Sequence, residues 1–211
     1  MATLFMAQGL ERDRMLAAVA YHLPNQVVII RNKRDISAEL SRKVEKNLSA
    51  VKKKSSQFPV NISWNEVWVD FFSPVNALVD LYEQISSAED ARIDISSGNK
   101  LITIVLFLIA SDLGLKVTYS TASSYKGIPG YGRLMEIPKI PVDLGLDIRF
   151  LKVLRRRDRW DSLTELAKRA FGRSDKSAIM SVARKLEPLE ELGLVDIRRK
   201  GRRKFVEVTR V

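Results

Sequence analysis

One alternation constrains this chain more than any other feature. Val27 to Ile30 is four consecutive β-branched apolar residues, too short for a helix and typical of a strand buried on both faces. Directly after it, Ile36, Leu40, Val44, Leu48 and Val51 recur every three or four residues, the period of an amphipathic helix with Lys and Arg on its outer face. The same exchange runs through the first two thirds of the chain. Thr3 to Ala7 reads as a strand, and Met15, Leu16, Val19, Ala20 and Leu23 as a helical stripe. Ile62 to Val69 is a strand, Val75 to Ile85 a helix, and Ile93 to Ile95 a strand. Leu101 to Leu113 is a helix apolar nearly all round, expected to be well buried and to stop at Gly114. Val117 to Tyr119 is a fifth strand. Five alternations predict an α/β domain, a parallel sheet with helices on both faces. Ser120 to Gly132, rich in Ser, Gly and Tyr, reads as a loop, and Arg133 to Ile137 as a final strand. Pro138 and Pro141 then break the chain, which places a linker at 138–145 between a unit of residues 1–137 and a second of 146–211.

The second unit reads as a small winged helix-turn-helix. Leu146 to Leu154 is a first helix, running into Arg155-Arg156-Arg157. Ser162 can cap a second, whose stripe is Leu163, Leu166, Ala167 and Ala170. Phe171-Gly172-Arg173 is a tight turn with the glycine usual in such units. Ser174 or Asp175 starts a third helix with Ile179, Val182, Leu186, Leu189 and Leu192 facing inward; Pro188 predicts a kink or an early end there. Leu194 to Ile197 and Phe205 to Val208 alternate as two strands.

Charge is uneven along this layout. The 36 Lys and Arg against 25 Asp and Glu give a net +11. Leu146 to the end holds 19 basic and 10 acidic residues, while the first 145 hold 17 and 15, so +9 sits in the last 66 residues. Such an excess fits a nucleic-acid partner, or a solubilising surface. Six of those cations surround one glycine in the hairpin: Arg198, Arg199, Lys200, Arg202, Arg203 and Lys204. An anionic partner would relieve their mutual repulsion. Arg173 in the turn, and Lys176, Ser177, Met180, Ser181, Arg184 and Lys185 on the outward side of the third helix, can reach base edges or phosphates of double-stranded DNA. A winged helix used for protein contact is the competing expectation.

Several chemistries are closed by composition. There is no cysteine, hence no disulfide, thiolate metal site or cysteine nucleophile. His22 is the single histidine, so one chain holds no multi-histidine metal cluster. Neither a Gly-x-Gly-x-x-Gly fingerprint nor a Walker loop is present, which leaves NAD and ATP chemistry unsupported. With 45% hydrophobic residues and no apolar run near the ~20 residues of a membrane span, a soluble cytoplasmic protein with no signal peptide is expected. No catalytic constellation, metal or cofactor is expected either.

Two turns remain. In open α/β sheets ligands sit beyond the carboxyl ends of the strands where strand order reverses. With the common order, strands one and four are neighbours there. Strand one ends in Gln8-Gly9-Leu10-Glu11-Arg12, and strand four in Ser96-Ser97-Gly98-Asn99-Lys100, which opens the apolar helix. Ser96 or Ser97 can cap that helix, Gly98 admits close approach, and Lys100 adds charge to free N–H groups. This outlines an anion or phosphate site made by Gln8, Gly9, Arg12, Ser96, Ser97, Gly98, Asn99 and Lys100; a capped turn with an exposed lysine would read the same way.

On these residues the whole chain resembles the CARF–winged-helix regulators, CRISPR-associated Rossmann-fold proteins with a C-terminal DNA-binding domain. The Ser96 to Lys100 turn is similar to the family's strand-four motif, commonly Thr-Gly-Gly-Thr-Lys or Ser-Ser-Gly-x-Lys, with Ser97 where many relatives have glycine. Leu189 to Val195 followed by a basic hairpin is similar to the winged-helix end of many archaeal regulators. The resemblance implies a Rossmann-like sensor of a cyclic oligoadenylate, bound as an allosteric ligand across the two-fold axis of a homodimer, and a DNA-binding transcription regulator in antiviral defence. A ring-nuclease enzyme that cleaves its cyclic ligand and a protein-binding adaptor are the alternatives.

Overall fold

The computed structural model describes residues 1–34, 37–121, 134–139, 147–201 and 203–209, with the backbone only of Lys200 and Arg203. The expected Ser120 to Gly132 loop beyond Thr121, Arg133, Ile36, Arg202 and most of the 138–145 linker lie outside the described residues.

The alternation of periods becomes β1 (Ala2–Ala7), α1 (Arg12–His22), β2 (Gln26–Asn32), α2 (Ala38–Ser55), β3 (Ser63–Val69), α3 (Pro74–Ser86), β4 (Asp90–Asp94), α4 (Lys100–Asp112), β5 (Lys116–Ser120) and β6 (Leu134–Ile137). They form one sheet in the order β3-β2-β1-β4-β5-β6, Rossmann-like, with order reversing between β1 and β4. The first five strands are parallel, but β6 pairs antiparallel with β5 and departs from the all-parallel expectation. A parallel sheet is covered on both faces, and each face has its own core. Leu4, Met6, Val27 and Ile29 point to α1 and α2, meeting Met15, Val19, Leu48 and Val51. Phe5, Ala7, Val28, Ile30 and Ile93 point to α3 and α4, meeting Leu78, Leu81, Ile102 and Leu106. Among the described residues no helix is long and apolar enough to cross a membrane.

Helix α4 departs from the expectation of all-round burial. Ile102, Val105, Leu106, Ile109 and Ala110 are buried, whereas Ile104 is 54% exposed and Leu101 and Leu108 are half-buried on the far side. The helix packs on the sheet and on α3, and nothing among the described residues covers its far side, so that apolar face stays bare within the chain.

The remaining elements are α5 (Ile148–Leu154), β7 (Arg159–Trp160), α6 (Leu163–Phe171), α7 (Lys176–Glu191), β8 (Val195–Lys200) and β9 (Arg203–Val208). Side-chain caps start the three helices: Asp147 accepts from the amide of Phe150, Ser162 from Glu165 and Asp175 from Ala178. Gly172 closes α6 at φ 72°, a left-handed conformation that suits glycine. The helix does not end early at Pro188: α7 runs through it to Glu191. Strand β7, which no apolar run announces, completes an antiparallel sheet β7-β9-β8. Trp160 is buried there and donates its indole N–H to the carbonyl of Leu154 at 3.0 Å. This part docks on the large sheet's helices, because α5 packs on α3. Phe150, Leu151 and Leu154 join the same core as Leu78 and Leu81. Arg155 pairs with Asp80 at 2.5 Å and Lys152 with Glu83 across that contact.

Candidate functional site

At the carboxyl ends of β1 and β4, Met6 stands opposite Asp94 in the ladder, and the two following turns close on each other. Gly98 sits at φ +97°, and a Cβ there would lie 2.6 Å from the Ala7 Cβ. A Cβ on Gly9 would lie 2.6 Å from the Cβ of Ser97 and 2.8 Å from its Oγ. Both glycines are therefore needed for the turns to touch. The contact leaves Ser97 buried, with its Oγ lacking a hydrogen-bond partner among the described residues, and Gln8 Oε1 in the same condition. Buried polar atoms of this kind are uncommon in a finished fold, and an outside group bonding to these two would satisfy them.

The cap of α4 is Asn99, not Ser96 or Ser97. Its Oδ1 accepts from the amide of Ile102 at 2.9 Å, and the earlier amides of the helix start have no partner among the described residues. Lys100 stands exposed at this end, with no ion pair among the described residues. Ser96 is spent elsewhere. Its amide donates to Asp94 Oδ1 at 3.1 Å and its hydroxyl to Oδ2 at 2.8 Å, while it accepts from the amide of Ser120 at 2.6 Å. Thr118 donates its hydroxyl to Asp94 Oδ2 at 2.9 Å. That hydroxyl has one proton, so the His22 Nε2 at 3.0 Å must be the donor in their contact, which fixes the Nε2–H tautomer.

Both titratable groups of this node are buried and displaced. Burial pushes the Asp94 carboxyl up to about 6 although its hydrogen bonds from Ser96 and Thr118 pull the other way. Burial, helped by Arg92, lowers His22 to about 4. His22 is therefore a neutral structural donor at pH 7.

Arg12 is not brought into the turn. It is exposed and pairs with Asp13. Arg14, two residues on, takes the place expected for it. Its Nη1 donates to the carbonyl of Ser96 at 2.9 Å, its Nε lies 2.8 Å from Glu11, and its guanidinium lies 6.0 Å from the centre of the Tyr119 ring. Asn47 of α2 donates to the carbonyl of Leu10 at 2.5 Å and holds the first turn from the other side. Arg14 and Asn47 have no local motif. Asp94, Thr118 and Ser120 had a signal, polar residues recurring where buried strands end.

The second set of candidate residues lies on α7 and the β8–β9 hairpin. Lys176, Ser177, Met180 and Arg184 are exposed and, with half-buried Ser181, line one shallow depression. Arg173 is exposed in the turn before α7. Lys185 is not outward: it bridges to Asp147 at 2.5 Å and ties α7 to the start of α5. Arg198 is held by Asp196 at 2.7 Å and Glu207 at 3.5 Å, so part of the hairpin's charge is met within the chain. Arg199 is exposed, and Lys204 lines the groove between the hairpin and α7. The side chains of Lys200, Arg202 and Arg203 lie outside the described residues. Among the described residues no cluster of three or more His, Asp or Glu is placed to hold a metal ion.

No protein-family model matches the chain, and no curated protein matches it. Among solved structures it is similar to Csm6 of Enterococcus italicus bound to cyclic hexa-2'-fluoro-hexa-dAMP, at 14% identity and TM-score 0.51, over 92% of this chain and 56% of that one. It is more loosely similar to Can2 from Sulfobacillus thermosulfidooxidans in complex with cyclic tetra-adenylate, at 10% identity and TM-score 0.47, over 95% and 55%. A type III CRISPR defence DNA nuclease activated by cyclic oligoadenylate matches at 14% identity and TM-score 0.44, over 95% and 31%. The chain thus spans little more than half the length of the first two and about a third of the last. The likeness to Csm6 is one of fold.

Two outcomes follow from this geometry. Gly9→Ala should destabilise by about 1–3 kcal/mol in urea unfolding, as overpacking does; adding Ser97→Gly should restore most of that stability, because the clash is with the Ser97 side chain. The pH dependence has a defined sign. Asp94, raised from 3.8, stabilises the fold at low pH, and that contribution is lost as pH rises towards about 6. His22, lowered from 6.5, acts oppositely: its contribution grows as pH rises from about 4 to 6.5. Relative to the parent, His22→Gln should therefore lose stability as pH is raised from 4 to 6, and Asp94→Asn should gain it. Unfolding curves across that range with identical slopes for all three proteins would refute the node.

Proposed function

We propose that the chain is a DNA-binding regulator gated by a cyclic oligoadenylate, with a CARF-like Rossmann unit of residues 1–137 and a winged helix-turn-helix of 146–211. One observation carries the ligand reading. Among the described residues, Ser97 Oγ and Gln8 Oε1 are buried without partners beside the start of α4 and an exposed Lys100 that has no ion pair. Donors and a cation together at a helix start suit a phosphate, and a spare acceptor suits a ribose hydroxyl or a base amine. The fold shared with Csm6, which was solved with a cyclic hexanucleotide analogue, supports the class of ligand.

The uncovered face of α4 supports a two-fold dimer. Leu101, Ile104 and Leu108 recur at helical spacing directly beside the proposed pocket, so pairing two α4 faces would bury them and bring two pockets together. The helix order α5-α6-α7 followed by a hairpin supports the winged-helix reading, with Lys176, Ser177, Met180 and Arg184 reading a major groove. Coupling has a direct route through the α3–α5 contact, which joins the large sheet's helices to the DNA-binding part. Binding without cleavage is favoured because His22 is engaged by Thr118 and Asp94 is enclosed behind the turn, so neither faces the pocket as a general base.

Calorimetry with cyclic tetra- and hexa-adenylate tests the ligand. Lys100→Ala should weaken binding by about 1.5–3 kcal/mol, the worth of a charge-assisted hydrogen bond. No heat from either ring in a folded dimer would remove the reading. For DNA, neutralising Arg202, Arg203 and Lys204 should shrink the log–log salt slope by about 0.9 for each phosphate that is no longer neutralised. Changes at Ser177 or Arg184 should shift sequence preference instead. Saturating ligand should change operator affinity by about 5–150-fold, and operator should change ligand affinity by the same factor.

A further inference from the structure

Neither proposed site uses the outward face of α2, which carries a line of unpaired cations. α2 buries Val44, Leu48, Val51 and Ser55. At 100° per residue, Arg42, Lys46 and Lys53 point directly away from that stripe, and Lys43 and Lys54 flank them on one side. All five are exposed, and none has an ion pair among the described residues. The only carboxylate between Arg42 and Lys54 is Glu45, which is held by Arg31, while Lys52 turns to Glu66. The five therefore form a rail of one sign about 18 Å long at 1.5 Å per residue.

The local charge is unusual for this part of the chain. Arg31 to Lys54 holds nine basic and three acidic residues, a net +6 in 24 residues, whereas the first 145 residues total +2; the other 121 are net −4. Like charges three and four apart, such as Arg42 with Lys46 and Lys43 with Lys46, weaken a helix. The helix dipole favours Lys53 and Lys54 in the last turn, but Arg42, Lys43 and Lys46 lie nearer the other end and have no ion pair among the described residues. The rail also lies on the α1/α2 face of the sheet, whereas α5 docks on α3 at the opposite face. It is thus not an extension of the cations of α7 and the hairpin.

We propose that this face of α2 is a second contact for the phosphate backbone of nucleic acid, separate from the C-terminal part. Ser49 and Ala50 are the residues between the cations, so the rail has no exposed aromatic or large apolar anchor, and protein interfaces depend on such anchors. A membrane-surface helix would present apolar residues to the lipid, and those of α2 are committed to the core. A straight run of cations with nothing apolar among them matches the linear charge of a phosphate backbone, where binding comes from counterion release.

The test uses the full chain with Arg42, Lys43, Lys46, Lys53 and Lys54 all changed to Gln, and a charge-retaining control in which Arg and Lys are exchanged at the same five positions. Gln keeps helix propensity, and circular dichroism confirms the fold. Fluorescence anisotropy across salt is read with a random-sequence duplex DNA, a single-stranded DNA and a single-stranded RNA. The Gln variant should bind at least one of these 10-fold or more weakly, with the log–log slope smaller by about 0.9 per phosphate for duplex or about 0.7 for single strands. The charge-retaining control should bind as the parent does. The comparison is repeated with Arg202, Arg203 and Lys204 also neutralised. A weakening on changing α2 that persists in that background supports the rail even if the winged-helix reading fails. Unchanged affinity and slope for all three nucleic acids overturns the proposal. So does a weakening confined to vesicles containing phosphatidylserine or to an acidic protein.

Discussion

A carboxylate enclosed at the end of β4 is the interaction on which the rest of the proposed sensor depends. Asp94 is fully buried and cannot be hydrated, so it must be bonded from within. It collects the amide and hydroxyl of Ser96 and the hydroxyl of Thr118, and Thr118 is met in turn by His22. Ser96 returns the link by accepting from the amide of Ser120. One buried charge thereby fixes the turn after β4 to the end of β5 and to the last turn of α1. With Ser96 consumed this way, Ser97 is pressed against Gly9, Asn99 is left to cap α4, and the helix start faces outward. A small displacement of Asp94 would move each of these together, since packed cores shift as units.

The same logic of limited partners organises the charges. Asp80 of α3 accepts Arg155 at 2.5 Å and lies 3.7 Å from Lys33, which follows β2. A residue beyond the carboxyl end of the sheet and one at the end of α5 are thus tied to one carboxylate. Each of these groups is between about a third and half exposed, so the worth of the pairs is set by screening and is small beside the apolar contact of Phe150, Leu151 and Leu154. The apolar surface holds the two parts together, and the ion pairs fix how α5 lies on α3.

Much of this was legible along the chain. Strand and helix periods place nine of the elements of the sheet unit without reference to anything distant. Ser162 and Asp175 carry recognisable caps, and Gly172 a recognisable stop. The turn after β4 is legible as a local pattern, small residues before an apolar helix, and the common strand order of open α/β sheets places the turn after β1 beside it. Polar partners were not legible, because they are remote in sequence: His22 and Thr118 are 96 residues apart, and Arg14 and Ser96 are 82 apart. Nothing local distinguishes Arg12 from Arg14, which differ by half a turn of α1 and so by which side faces the site.

By itself, then, the amino-acid order determined the period of each segment, the places where segments stop and the sign of charge on each part, since all of these are set by neighbours within a few residues. Only the tertiary structure decided which serine has no partner among the described residues, which arginine enters the turn, that Lys185 and Arg198 are bound within the chain, and that α4 keeps one apolar face bare among them. Those outcomes depend on which groups exhaust their hydrogen-bonding capacity on one another, and each group has few bonds to give.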